Sequence, residues 1–87
     1  MFEVIIPKST QHKLKKAPKK VKERCLEVFE SLQYSFAPFG HDVKKLKGYP
    51  MAFRIRIGDW RITYEVLKKE NFIVIHDIQL RKKGYKR

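Results

Sequence analysis

Apolar and polar residues alternate strictly along positions 52–57, sending Phe53, Ile55 and Ile57 to one side of a strand and Arg54 and Arg56 to the other. Gly58-Asp59 then fits a two-residue type II′ turn, with glycine where φ must be positive. Closing that turn pairs Ile57 with Trp60, Ile55 with Ile62 and Phe53 with Tyr64. Further on, residues 72–75 are apolar at consecutive positions, as in an interior strand covered on both faces. Lys68-Lys69-Glu70-Asn71 is a loop of hairpin length before it. At the other end, Phe2, Val4 and Ile6 alternate around Glu3 until Pro7 stops the strand.

Between these strand signals the period changes. Ser9 or Thr10 can cap a short helix with Leu14 and Ala17 facing inward, and Pro18 suits the first turn of a second helix. In that second helix Val21, Cys25, Val28 or Phe29, Leu32 and Phe36 recur at helical spacing. Pro38-Phe39-Gly40 ends the helical region, residues 43–47 follow, and Gly48-Tyr49-Pro50 makes a turn before the arginine hairpin. The pattern predicts one α+β domain over residues 1–87, in β-α-α-β-β-β order. Two helices should pack on one face of an antiparallel sheet, leaving the arginine face open.

Composition adds one constraint. With 43% hydrophobic and 13% aromatic residues among 87, the chain can form a single core. Twenty-one Lys and Arg against nine Asp and Glu give a formal charge of +12, which favours phosphate-rich or acidic partners. No apolar run approaches the roughly 18 residues that span a bilayer. Residues 1–7 lack the basic and long apolar regions of a signal peptide. The single cysteine, Cys25, excludes an internal disulfide and suits a reducing cytoplasm; its place on the apolar stripe marks it as a packing residue.

The hairpin register also sets Arg56 opposite Arg61 and Arg54 opposite Thr63. Like charges directly across a sheet are destabilising, so three converging guanidiniums point to an anion, polyphosphate or nucleic acid. The plainer reading is a solvated outer face, but such faces mix signs, and Glu65 is the sole acid expected on this one. Trp60 and Tyr64 share the apolar face and read as core; Tyr49, beside its turn, suits packing and base stacking equally. With a four-residue loop, Leu67 opposes Phe72 and His76 opposes Thr63 on the arginine face, whereas a one-residue bulge would reverse His76. As a lone histidine on an apolar strand, His76 reads first as structural. His12 and His41 stand apart from any Cys or acid cluster, so no metal site is expected. The lysines at 13, 15, 16, 19, 20 and 22 read as a solvated helix face, with docking on RNA or on an acidic partner as rival roles.

Three blocks carry a family resemblance: Val43-Lys-Lys-Leu-Lys-Gly-Tyr-Pro50, then Phe53-Arg-Ile-Arg-Ile-Gly-Asp-Trp-Arg-Ile-Thr-Tyr64, then Leu80-Arg-Lys-Lys-Gly-Tyr85. In order and spacing they resemble the RelE/ParE toxin superfamily, most closely its RelE-type mRNA interferases. The resemblance implies a cytoplasmic toxin of a type II toxin–antitoxin system, a ribosome-dependent endoribonuclease that cuts mRNA in the A site. The 2′-hydroxyl attacks the adjacent phosphorus and leaves a 2′,3′-cyclic phosphate. It implies no cofactor and no metal. The partners would be a RelB-like antitoxin, the ribosome and mRNA, with operator DNA bound only through the antitoxin complex and no membrane.

Residue by residue, Arg61 matches the arginine that stabilises the phosphorane-like charge. Arg81 and Tyr85 match the terminal pair that assists the phosphate and leaving group and positions the nucleotide. Arg54 and Arg56 stand where well-known RelE members have lysines, and Lys45, Lys47, Lys82 and Lys83 are the expected RNA contacts. Arginine effectively cannot lose a proton, so neither Arg54 nor Arg56 serves as general base, although both can clamp phosphate. Lys45, Lys47, Tyr85 and His76 stay open as substitutes, as does in-line orientation by the ribosome alone. The rival functions are a ParE-like inhibitor of DNA gyrase and a basic nucleic-acid-binding module without catalysis.

Overall fold

A computed structural model describes residues 1–81. Strand β1 (Glu3–Ile5) leads through helices α1 (Lys8–Lys16) and α2 (Lys19–Leu32) to strands β2 (Asp42–Lys45), β3 (Ala52–Ile57), β4 (Trp60–Leu67) and β5 (Phe72–Leu80). They form one five-stranded sheet in the order β1-β5-β4-β3-β2. The α+β class and the element order agree with the sequence reading, and residues 42–45 add an edge strand. The sheet is mixed rather than wholly antiparallel. β1 lies parallel to β5, because the two helices carry the chain across the sheet before β2 begins.

The β3–β4 hairpin has the register expected from its turn, with Ile57 opposite Trp60, Arg56 opposite Arg61 and Arg54 opposite Thr63. Gly58 sits at φ 57°, and Asp59 beside it needs no positive φ, as in a type II′ turn. A Cβ at Gly58 would meet nothing within 4 Å, so the glycine answers to backbone conformation alone. Leu67 faces Phe72 across the four-residue loop, which closes with Asn71 at φ 65°.

The core lies between α2 and the sheet. Cys25, Val28, Phe29 and Leu32 meet Phe53, Ile55, Ile57, Ile62, Tyr64, Val66, Ile73, Ile75 and Ile78, with Leu14, Val21, Phe36, Val43 and Trp60 packed on the margin. Trp60 and Tyr64 are therefore packing residues, as their alternation predicts. Phe53 stacks on Tyr64 at 5.7 Å between ring centroids, and Phe36 tilts against Phe53 at 5.5 Å. The Tyr64 hydroxyl donates to the Phe36 carbonyl at 2.6 Å, and burial pushes its pKa upward. That bond ties the segment after α2 to the middle of the sheet.

Helix α1 begins differently from the sequence reading. Pro7 is its N-cap with no side-chain cap bond, and Thr10 lies inside the helix, almost fully buried. The Thr10 hydroxyl sits 3.1 Å from the Ile75 carbonyl and 3.2 Å from the His76 carbonyl. A hydroxyl assigned by spacing to a helix cap is instead a bracket onto β5.

Candidate functional site

The sheet face turned away from the helices is a small grid of polar side chains set by strand pairing. Its first row pairs Ala52 on β3 with Glu65 on β4. The second runs from Lys44 on β2 through Arg54 and Thr63 to Asp77 on β5. The third runs from Asp42 through Arg56 and Arg61 to Gln79. Adjacent strands stand about 4.8 Å apart and opposed side chains 4.5–5.5 Å apart at Cβ, so the three arginines share one neighbourhood.

Their environments differ. Arg56 is exposed, with its Nε 3.7 Å from Asp42 Oδ2, a solvated contact of little energetic weight. Asp42 and Asp77 thus join Glu65 as acids in these rows, correcting the expectation of Glu65 alone. Arg54 is half-buried between Lys44 and Thr63. Arg61 is also half-buried, and its Nε is enclosed without a hydrogen-bond partner. Enclosing a donor unpaired costs on the order of 1–3 kcal/mol. The residue as a whole is only half-buried, so part of its side chain stays accessible to a ligand.

Arg81 directly follows β5, and its N–H donates to the Asp59 carbonyl at 2.6 Å. Its backbone is therefore pinned beside the β3–β4 turn, at the Arg56–Arg61 end of the grid. Lys45 opposes Phe53 and so falls on the core side of β2; Lys44, which the sequence reading passed over, is the lysine beside Arg54. The alternation of Val43 with its neighbours was the available signal. Lys45 and Lys47 still border a surface hollow of about 400 Å³, shared with Leu46, Gly48 and Tyr49. Tyr85, Lys82 and Lys83 lie outside the described residues.

A second hollow, about 340 Å³, is lined by Leu46, Tyr49, Ala52, Thr63, Glu65 and His76. Tyr49 borders both hollows and is exposed, so it does not belong to the core. The β4–β5 pairing slips by one residue, with Thr63 opposite Asp77 but Tyr64 opposite Ile75, so His76 is the extra residue of a β-bulge. The bulge does not turn His76 to the core: its Nε2 stands 2.9 Å from Glu65 Oε1 on the open face. Among the described residues no His, Cys, Asp and Glu group could hold a metal ion. No described helix is long and apolar enough to cross a membrane.

No protein-family model matches the chain. It is similar to the toxin of the archaeal RelE–RelB complex from Pyrococcus horikoshii OT3, with a TM-score of 0.84 and 32% identity, covering 95% of this chain and 98% of that one. The isolated E. coli RelE toxin has the same fold at a TM-score of 0.82, with 14% identity, over 98% of this chain and 89% of that one. RelE1 of Methanocaldococcus jannaschii is 35% identical over 86 residues, 98% of this chain and 96% of that protein. With that identity along nearly its whole length, and with the fold and arginine grid just described, the chain belongs to the RelE toxin family.

Proposed function

We propose that the protein is a cytoplasmic, ribosome-dependent mRNA endoribonuclease, held inactive by a RelB-like antitoxin. The single observation that carries this reading is the arginine grid, in which Arg56 opposes Arg61 and the Arg61 Nε is enclosed without a partner. Cleavage through the 2′-hydroxyl passes a phosphorane-like state with extra negative charge on the non-bridging oxygens. Cations already in place for that charge lower the barrier without reorganising during the reaction. Arg61 and Arg81 supply this stabilisation, Arg54 and Arg56 grip the phosphates, and Tyr85 positions the nucleotide. Lys45, Lys47, Lys82 and Lys83 draw in the RNA backbone. The antitoxin partner is supported by relatives solved as RelE–RelB complexes, and a chain of formal charge +12 suits an acidic wrapping segment.

The test is primer extension on a defined message with purified protein, with and without programmed ribosomes. Cleavage that needs ribosomes, leaves a cyclic phosphate and falls roughly 100- to 1,000-fold in Arg61→Ala is the expected result. Cleavage at an undiminished rate in Arg61→Ala would remove that residue from the site. An inert wild type that blocks supercoiling by gyrase would replace the reading with a ParE-like one.

A further inference from the structure

The arginines of the grid supply positive charge but no base. Arginine stays protonated, so Arg54, Arg56, Arg61 and Arg81 can stabilise charge but cannot activate the 2′-hydroxyl. On the same face His76 combines an imidazole, which can accept a proton, with a carboxylate partner. Its surroundings have the marks of a built position. His76 is the extra residue of a β-bulge, a device that re-aims a side chain and is over-represented beside active sites. The bulge is also held by α1. The Thr10 hydroxyl lies within hydrogen-bond reach of the carbonyls of Ile75 and His76, and Lys13 Nζ meets Asp77 Oδ1 at 2.6 Å. In front, His76 Nε2 stands 2.9 Å from Glu65 Oε1; in the tautomer that donates through Nε2 this contact orients the ring and the free lone pair lies on Nδ1. Thr63 pairs with Arg54 on one side and with Asp77, the neighbour of His76, on the other, and both His76 and Thr63 line the 340 Å³ hollow.

We propose, resting on the ribonuclease reading above, that His76 is the general base of this toxin and Glu65 its positioning residue. With the scissile phosphate on Arg54 and Arg61, the preceding ribose lies toward the hollow and its 2′-hydroxyl faces the imidazole. The 2′-hydroxyl proton passes to Nδ1 while the oxygen's electron pair forms the new bond to phosphorus. The bond from phosphorus to the 5′-oxygen breaks, and that oxygen takes a proton from water. The imidazolium then returns its proton to solvent. The products are a 2′,3′-cyclic phosphate and a 5′-hydroxyl.

Single-turnover cleavage on programmed ribosomes tests this with wild type, His76→Ala, His76→Gln, Glu65→Gln and Arg61→Ala. Because the His76 side chain is half exposed, at 51%, its variants should keep the wild-type melting temperature. Both His76 variants are expected to lose about 100-fold or more in rate, within the range of general-base deletions. Added imidazole should restore cleavage in His76→Ala and leave Arg61→Ala unchanged. Glu65→Gln should lose roughly 10-fold, the lower end for removing a group that orients a histidine. An active wild type with His76→Gln cutting at its rate would overturn the assignment while sparing the ribonuclease reading. So would a His76→Ala defect that imidazole does not relieve. A wild type that never cuts would bring down both.

Discussion

The two faces of this sheet are built from the same strands and solve opposite problems. On the helix side, Ile55, Ile62, Tyr64, Ile73 and Ile75 are inaccessible to solvent, and the buried hydroxyls of Tyr64 and Thr10 both have acceptors. On the other side, residues one position away along the same strands place Arg56 opposite Arg61 and leave a guanidinium nitrogen enclosed without a partner. The first face is where apolar burial of about 25 cal/mol per Å² outweighs chain entropy. The second face opposes folding, and it persists because the first is complete. Functional strain of this kind belongs on a surface whose scaffold does not depend on it.

Neighbouring residues make the sharpest way to break that contrast. Ile62→Ala should cost about 2–5 kcal/mol, since Ile62 is fully buried at the centre of the sheet. Denaturant unfolding would read this as a lower midpoint. Arg61→Ala, one residue away, removes an enclosed donor without a partner, so it should leave the midpoint no lower than the wild type's while abolishing cleavage. If Arg61→Ala unfolded the protein as Ile62→Ala does, the separation of the two faces would fail.

Next in size is the bracket that joins the faces. Thr10→Val keeps the shape of the side chain but deprives the β5 carbonyls of their donor, so a loss of about 1–3 kcal/mol is expected. Should the bulge position His76 as proposed, the same variant should also slow cleavage well beyond what its stability loss implies at a temperature where it stays folded. An unchanged rate would mean that the bulge holds its shape without Thr10.

What could be foreseen follows from how local each feature is. The β3–β4 hairpin and its opposed arginine pair were legible because alternation and a two-residue turn fix register within a dozen residues. The parallel pairing of β1 with β5 was not, because it joins segments about 70 positions apart through contacts that carry no periodic signal. The same holds for Thr10, whose partners lie 65 and 66 residues away, so its local propensity pointed to a cap. His76 marks the finest limit. Loop length gave the correct starting register at Leu67 and Phe72, but a bulge further along depends on the helix behind it. Lys44 was a missed local signal: Val43 faces the core edge, so its neighbour faces the arginines.

A third prediction weighs charge on the open face. Arg56→Ala removes one member of the opposed arginine pair and an exposed contact with Asp42. These effects oppose each other, so stability should move by no more than about 0.5 kcal/mol. RNA binding should weaken, and the slope of log affinity against log salt should become shallower by about one phosphate contact. A clear stability gain without any loss of RNA binding would make Arg56 a bystander.

The smallest effect concerns the closed face and should be silent until the protein opens. Cys25 is fully enclosed between α2 and the sheet, and burial pushes its thiol from 9.0 up to about 11, with Arg24 pulling weakly the other way. The thiolate is the reactive form, so a thiol reagent at pH 8 should label the native protein far more slowly than the denatured chain. The sign of the linkage runs the same way. The unfolded thiol ionises first, so whatever stability Cys25 contributes is present below pH 9 and is lost as pH rises toward 11. Cys25→Ala should therefore flatten the alkaline end of the stability profile at the expense of a small cavity. Rapid labelling of the native protein at neutral pH would show that the helix side of the sheet opens easily, and the contrast between the faces would then be one of composition rather than of order.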